Sequence, residues 1–368
     1  MARKRKIRTV LDEDLCDTRV VKVRLEPNKT IDNLLLNYTT AANAVYNQLL
    51  FLNGVIYQSR QEDLEKGLQV TEVTPNMPTS KFGLVQFVNE YKDTLFPWWA
   101  QVSKEVFESA ATDLSDAFSR FFDPKLSNLY PTFRKRPKMV RAGKLSVTIN
   151  AIAYDNMLTS DGRGVKLPVP DERKQAEFGL NSKQSVYVKI APDKKIVKMA
   201  KLVQNKHATV QAVTYSFKGG YWWAAIRLRV LKVHARQYVR RTDGYLGGTC
   251  GIDICMGKNF ATLSTPLPGI TDVEGHIRAP KHLRKKAKKL AKAQRRFQNC
   301  EKGSNRAGKA LLKMQRLHHK VAAERARWLS ELASTLLGVF DTIVVENLSL
   351  AGMAKRKKGG KYSFGAAI

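Results

Sequence analysis

The stretch Gly248–Ser264, GTCGIDICMGKNFATLS, decides the fold of this chain. Its apolar and β-branched residues predict a buried strand, a tight turn at Gly257 and a second strand. The first strand carries one carboxylate, Asp253, and burying a carboxylate is costly unless the group is paired or binds a metal. Asp253 is therefore a candidate metal ligand.

A second acid lies in another short apolar strand, predicted at Thr342–Leu348, TIVVENL. Glu346 is near the end of that strand. Two carboxylates at the ends of two sheet strands suit a divalent-cation site for phosphodiester hydrolysis. The alternative is that each acid caps its strand or forms an ion pair.

Net charge is the strongest signal in the composition. The 368 residues include 64 Lys and Arg against 32 Asp and Glu, a net charge of +32, and 43% are hydrophobic, which allows true cores. Such an excess of one sign favours a polyanionic partner, and nucleic acid is the natural one. We expect no membrane partner, because the chain has neither an apolar run of about 18 residues nor a signal peptide.

Cysteine usage points to a reducing compartment. The four cysteines form no Cys-x-x-Cys pair, so we expect reduced thiols, a cytoplasmic protein and no zinc site. They are Cys16, Cys250, Cys255 and Cys300.

The first part of the chain predicts a strand followed by helices. Residues 1–13 form a charged arm, and residues 18–26 alternate polar and apolar side chains as a half-buried strand does. From there to about Phe122 the apolar spacing is helical, with Thr30–Asp32 as the entry cap of the first helix. Tyr38 and Tyr46 follow this spacing and are expected in the core.

A basic segment at residues 131–138, PTFRKRPK, comes next. Its prolines prevent a continuous helix, so we expect an extended ribbon along a phosphate backbone, with a solvated loop as the alternative. The predicted phosphate contacts are Arg134, Lys135, Arg136 and Lys138.

Residues 145–239 predict antiparallel strands, with Lys218-Gly219-Gly220 as a hairpin turn between the last two. Either Trp222 or Trp223 must face the core, because successive residues of a strand point to opposite faces. The other Trp is a candidate for stacking on bases.

Two helices are predicted between the two carboxylate strands, at Pro280–Phe297 and about Arg306–Leu337. The first is too densely cationic to be favourable alone, so we expect it to lie against RNA or a heteroduplex. The second has near-heptad apolar spacing, which indicates packing against a sheet. The cations of the first helix are Arg284, Lys285, Lys286, Lys288, Lys289, Lys292, Arg295 and Arg296.

Together, Gly251–Asp253, Lys258–Ser264, the basic helical insert and Val344–Leu348 resemble the RuvC-like nuclease domain of TnpB proteins, the transposon-encoded RNA-guided nucleases. The resemblance covers the whole chain. It implies an α+β multidomain fold, in which an oligonucleotide-binding-type (wedge) β-barrel with an inserted helical recognition lobe precedes a C-terminally truncated RuvC/RNase H-like α/β domain.

The resemblance also implies domain boundaries. They are 1–29 for the basic arm and first barrel strand, 30–128 for the helical lobe, 129–243 for the barrel and 244–368 for the RuvC-like domain, with its helical insert at about 280–338.

Partners and further contacts follow from the same resemblance. The helical lobe of the family reads a short DNA motif beside the target, which puts Thr79, Ser80 and Lys81 at that motif. A guide RNA supplies sequence specificity for double-stranded DNA. We expect a monomer with RNA, located at the nucleoid in the bacterial cytoplasm. Lys258, Lys302 and Arg325 complete the predicted nucleic-acid contacts.

Several positions depart from the family pattern. Cys255 replaces a Gly beside the metal position, and Ala323 and Arg327 replace an Asn and an Asp. The family often has amides near Glu108, so the preference for the flanking motif is expected to differ.

The family also has a zinc ribbon and a third catalytic Asp, and neither appears before the chain ends at Ile368. We therefore expect no active catalytic residue: Asp253 and Glu346 are vestiges that hold Mg²⁺ weakly at most, and no cofactor is required. The leading hypothesis is a guided DNA-binding protein that represses transcription without cleavage. The alternatives are an active TnpB nuclease and a basic protein that binds nucleic acid non-specifically.

Overall fold

A computed structural model describes residues 15–69, 73–134, 145–151, 157–170, 185–235, 244–255 and 259–346. The chain divides into two compact units, Met1–Arg236 and Gln237–Ile368. The boundary lies close to residue 244, where the nuclease-like domain is predicted to begin. Both units contain helices and strands, which confirms the predicted α+β class.

The helices of the first unit lie mainly in its first half. They are α1 (Lys29–Glu65), α2 (Lys81–Leu95), a 3₁₀ turn (Trp99–Gln101) and α3 (Lys104–Phe122).

Helix α1 begins earlier than the sequence predicts. Its N-cap is Asn28, whose side chain accepts a hydrogen bond from the backbone N–H of Ile31 at 2.9 Å. The predicted cap at Thr30–Asp32 is therefore wrong: Asn28 follows Pro27 with an extended backbone, so its side chain is free to satisfy the first turn. Tyr38 is fully buried and Tyr46 nearly so, which confirms their place in the core.

The remaining described elements of the first unit are the strands of two sheets and two further helices. The strands are β1 (Cys16–Arg24), β2 (Leu145–Asn150), β3 (Gly164–Pro168), β4 (Ser185–Lys189), β5 (Ala208–Lys218) and β6 (Tyr221–Leu231), with helices α4 (Lys194–Gln204) and α5 (Lys232–Ala235). An antiparallel sheet has the order β1-β6-β5-β2, and β3 pairs with β4.

Short contacts connect these layers. A bridge between Leu25 and Ile190 links the end of β1 to the end of β4. The Tyr38 hydroxyl donates to the carbonyl of Pro168 at 2.8 Å, so α1 packs against β3. The predicted hairpin turn is confirmed, since Gly219 and Gly220 both have positive φ between β5 and β6.

The described residues of the second unit form a four-stranded sheet and two long helices. Its elements are β7 (Thr249–Ile254), β8 (Asn259–Leu263), β9 (His276–Arg278), α6 (His282–Gln298), α7 (Asn305–Val339) and β10 (Thr342–Val345). The sheet order is β10-β7-β8-β9, with β10 parallel to β7 and the other pairs antiparallel.

One face of this sheet packs on the end of α7. Cys250, Leu263 and Ile277 from the strands are buried with Leu336 and Phe340 at the C-terminal end of the helix. The predicted packing of the second helix against the sheet is therefore confirmed for its C-terminal part, where Trp328 and Leu332 join the same cluster, whereas the cluster does not include Met314, Leu317 or Val321.

Candidate nucleic-acid interface and carboxylate pair

The two predicted acids lie at matching positions on neighbouring strands. In the parallel pair β7–β10, Val345 is opposite Ile252. Asp253 and Glu346 are the next residues along, so the register places them side by side on strands about 4.8 Å apart. Both are exposed.

This exposure corrects one sequence prediction. Asp253 was predicted inside a buried strand, yet only one face of β7 packs against α7. Successive side chains of a strand point to opposite faces, so Asp253 points away from the face on which its neighbours Ile252 and Ile254 lie. The cost of burying a lone carboxylate therefore does not apply, and what links Asp253 to Glu346 is their register.

A row of polar side chains continues from Asp253 across the sheet. Thr262 pairs with Asp253, and His276 pairs with Thr262. The Thr262 hydroxyl lies 3.0 Å from Nδ1 of His276, whose Nε2 lies 3.0 Å from Oε2 of Glu274. The Cys255 Sγ is 3.4 Å from the same hydroxyl. Sequence reasoning missed His276, because β9 has only three residues and shows no clear alternation.

The carboxylate pair has the chemistry of a weak magnesium site. Magnesium prefers oxygen ligands, keeps several waters and is often held by one or two carboxylates. Within the described residues, no group of three or more His, Cys, Asp or Glu side chains is placed to hold a metal ion. Asp253 and Glu346 alone would therefore hold a cation through few direct ligands.

Helix α6 presents most of its predicted cations to solvent. Leu290 and Ala293 are buried on the opposite side, against α7. The exposed cations are Arg284, Lys285, Lys288, Lys289, Lys292, Arg295 and Arg296. This dense row of exposed cations on one helix would attract a phosphate backbone strongly.

Lys286 differs from the other α6 cations. Its side chain is only 21% exposed and its ammonium pairs with the Glu324 carboxylate of α7. Because of this pair, the pKa of Glu324 is lowered. Lys302 is exposed after α6, whereas Arg325 is half-buried beside Trp328 and His282.

Arg134 has a protein partner where a phosphate contact is predicted. Its guanidinium is 2.9 Å from the Asp113 carboxylate and stacks 3.9 Å from the centre of the Tyr46 ring. Its backbone N–H and C=O bond the Asn47 side chain at 2.7 and 2.8 Å. Arg134 therefore joins α1 to α3 in this structure. Lys135, Arg136, Lys138 and Lys258 lie outside the described residues.

The predicted reader of the flanking motif lies at the start of α2. Ser80 caps that helix by accepting from the Gly83 N–H at 3.2 Å, Lys81 is exposed and Thr79 is half-buried. Nearby, burial and then the Glu105 charge raise the pKa of Glu108, while Lys104 and Lys81 oppose the shift. Lys81 is thus close enough to Glu108 to interact with it.

Of the two adjacent Trp residues, one faces the core and the other does not, as predicted. Trp222 is 4% exposed, and its indole N–H donates to the Asp32 carboxylate at 2.6 Å. Trp223 is half-buried on the other face of β6, where the Lys22 ammonium lies 5.1 Å from its ring centre. Trp223 is therefore the stacking candidate. Sequence reasoning missed its partner Lys22, because the pairing of β1 with β6 cannot be read from local sequence.

Within the described residues, no helix is both long and apolar enough to cross a membrane.

The sequence of most of the second unit matches a known protein family. Residues 247–357 match the family OrfB_IS605, described as "Probable transposase". A protein from each of two Mycobacterium tuberculosis strains, CDC 1551 / Oshkosh and ATCC 25618 / H37Rv, is 24% identical over 270 residues, which is 71% of this chain and 51% of that protein. Both are named "Putative RNA-guided DNA endonuclease". This chain spans about half the length of these relatives.

Two further likenesses are more limited. A protein of Streptomyces pristinaespiralis with the same name is 35% identical over 82 residues, 22% of this chain and 20% of that protein. Among solved structures, a CRISPR-Cas12f ternary complex has a TM-score of 0.28 at 12% identity, covering 95% of this chain and 85% of that one. A Cas12f1–sgRNA–target DNA complex has 0.31 at 13%, covering 90% and 73%.

The match to residues 247–357 covers both carboxylate strands and both helices between them. Together with the relatives named as RNA-guided DNA endonucleases, this match confirms the predicted resemblance of the chain to the TnpB family.

Proposed function

We propose that this protein binds double-stranded DNA under the direction of a bound guide RNA and acts as a repressor without cleaving its target. The observation that carries guided binding is the exposed cationic face of α6, located inside the segment that matches the transposase family. The relatives' names, which specify RNA guidance of a DNA-directed activity, support the same assignment.

The finer domain assignment belongs to this proposal. The order β10-β7-β8-β9 with one parallel pair resembles an RNase H-like sheet, with Asp253 on its first strand and Glu346 after its fourth. The sheet β1-β6-β5-β2 and the pair β3–β4, linked by Leu25 and Ile190, are proposed as the oligonucleotide-binding-type barrel.

The absence of cleavage is proposed from the number of carboxylates. Two-metal phosphodiester cleavage clamps both the attacking and the leaving oxygen between two cations, and such a site needs several carboxylates. The register supplies Asp253 and Glu346, and among the described residues no group of three or more His, Cys, Asp or Glu side chains is placed to hold a metal ion. A single Mg²⁺ held by these two carboxylates would polarise a phosphoryl oxygen. The second cation of a two-metal clamp would need carboxylates beyond this pair.

The second candidate function is guided DNA cleavage. It is favoured by the endonuclease names of the relatives and by the exposure of both acids on one sheet face. In that case Asp253 and Glu346 would be ligands of a catalytic magnesium ion rather than dispensable charges.

Sequencing of the RNA that co-purifies with the protein tests guided binding. We expect a discrete RNA species with one defined end, and we expect nuclease-treated protein to lose DNA binding specificity. A heterogeneous RNA population that follows cellular abundance would instead identify a non-specific basic protein.

A further inference from the structure

The outward face of the sheet formed by β1, β5 and β6 combines aromatic and cationic side chains. Strand β6 alternates strictly: Trp222, Ala224 and Ile226 are buried, whereas Trp223 and Arg227 are not. The register brings cations of the neighbouring strands to the outward row, because Arg24 pairs with Trp223 and Lys218 pairs with Tyr221. We call this surface the outer platform; it consists of Lys22, Arg24, Lys218, Tyr221, Trp223 and Arg227.

Two cation–π contacts organise the outer platform. The Lys22 ammonium lies 5.1 Å from the Trp223 ring centre, and the Arg24 guanidinium carbon lies 5.4 Å from the Tyr221 ring centre. The Trp223 indole N–H donates to the Lys218 carbonyl at 3.0 Å, which fixes the edge of the ring. The aromatic groups are therefore held in defined positions.

Two like charges lie close to each other beside Trp223. Arg24 pairs with Glu26 at 2.9 Å, but Lys22 lies within interaction range of a second ammonium, that of Lys218. Burial and then this like charge lower the pKa of Lys22. An anion that approached both ammonium groups would remove their repulsion.

We propose that the outer platform binds an unpaired nucleotide of a nucleic-acid strand, with its base on Trp223 and its phosphates on Lys22 and Lys218. An aromatic ring can stack only on a base whose face is free, as in a single strand, a loop or a bulge. The platform therefore selects unpaired over duplex nucleic acid. This inference is independent of guided DNA binding, since a non-specific nucleic-acid protein would use the platform in the same way.

Oligonucleotides with and without bases test the proposal on the full chain. The probes are a labelled oligouridylate, an abasic RNA of the same length, an oligothymidylate and a duplex RNA, each titrated by fluorescence anisotropy. The abasic strand keeps the phosphates and so reports the other cationic surfaces, including α6.

Trp223→Ala is expected to weaken oligouridylate binding by at least about 5-fold, the lower end of what one base–aromatic stack contributes. Binding of the abasic and duplex RNAs should not change. Trp223→Phe should recover most of the loss, because a phenyl ring also stacks. If Trp223→Ala weakens the binding of oligouridylate and oligothymidylate equally, the site takes single strands of either sugar. If it weakens the binding of oligouridylate more, the site prefers RNA.

A second surface pair gives the matched control. Lys92 lies 4.5 Å from the Trp99 ring centre, so Trp99→Ala removes a comparable cation–π contact away from the sheet and should leave all four affinities unchanged. The proposal is overturned if Trp223→Ala leaves oligouridylate binding intact. It is also overturned if Trp223→Ala weakens abasic and oligouridylate binding equally, because the ring would then act through the fold alone.

Discussion

Among single residues, Arg134 shows that a cation in a basic segment can have its partners elsewhere in the fold. Sequence alone places it in a basic ribbon, but Asp113, Tyr46 and Asn47 surround it in the fold. These partners come from α1 and α3, distant in sequence, so local charge could not reveal them.

Arg134→Ala is expected to lower the free energy of unfolding by about 1–2 kcal/mol, because it removes a partly exposed ion pair and a cation–π contact. Urea unfolding measures the change. The control is Arg163→Ala, whose pair with Asp161 is 4.0 Å long and has side chains 83% and 57% exposed. That variant should change stability by less than about 0.5 kcal/mol. Equal effects of the two variants would contradict this role of Arg134.

Glu108 gives a prediction about pH. Burial, reinforced by Glu105, raises the pKa of its carboxyl, so its charged form is less favourable in the folded chain than in the unfolded one. The resulting penalty is fully present above the raised pKa and is lost as the pH falls below the unfolded value of about 4.3. Glu108→Gln should therefore stabilise the protein at neutral pH, and this gain should vanish near pH 4.

Asp161 provides the opposite sign for comparison. Hydrogen bonds from the Thr159 hydroxyl and the Arg163 N–H lower the pKa of its carboxyl. Asp161→Asn should therefore lose stability at neutral pH and approach the parent protein in acid. Urea midpoints of both variants at neutral and acid pH test the pair, and a gain from Glu108→Gln that persists in acid would contradict the assignment.

At the scale of elements, α6 separates solvent-facing cations from a paired one. We expect replacement of Arg284, Lys288 and Lys292 by Gln to reduce the salt dependence of DNA binding. Each lost duplex-phosphate contact should lower the magnitude of the slope of log K against log salt by about 0.9.

Lys286→Gln is the matched control on the same helix. Its ammonium is committed to Glu324, so the slope should stay the same while the packing of α6 on α7 weakens. A change of slope as large as that of one exposed cation would show that the ion pair opens to bind phosphate.

The sequence predicts elements well where periodicity and turn chemistry are strong. Helices α6 and α7 and the hairpin at Gly219 and Gly220 fall where expected. Helix α4 is absent from the sequence predictions although Asp193 caps it, because its short apolar spacing competes with the flanking strand patterns. The sequence predicts Asp253 and Glu346 as partners, but their exposure depends on which sheet face α7 covers, and the local pattern does not contain that information.

At the scale of the whole molecule, the net charge of +32 favours a polyanionic partner such as nucleic acid. In the proposed function, cationic surfaces such as α6 supply affinity and the guide RNA supplies sequence specificity. Neither of these two proposed roles involves the carboxylate pair. Asp253→Ala and Glu346→Ala are therefore expected to leave guided DNA affinity within a few-fold of the parent protein, as measured by electrophoretic mobility shift with matched and mismatched targets.

The most direct measurement is incubation of the 368-residue protein and its guide with supercoiled target DNA in Mg²⁺ or Mn²⁺. We expect a guide-dependent shift of the plasmid that carries the target and no nicked or linear product, with Asp253→Ala behaving like the parent protein. Guide-dependent nicking or linearisation that Asp253→Ala abolishes would contradict the proposal and establish the carboxylate pair as a nuclease site.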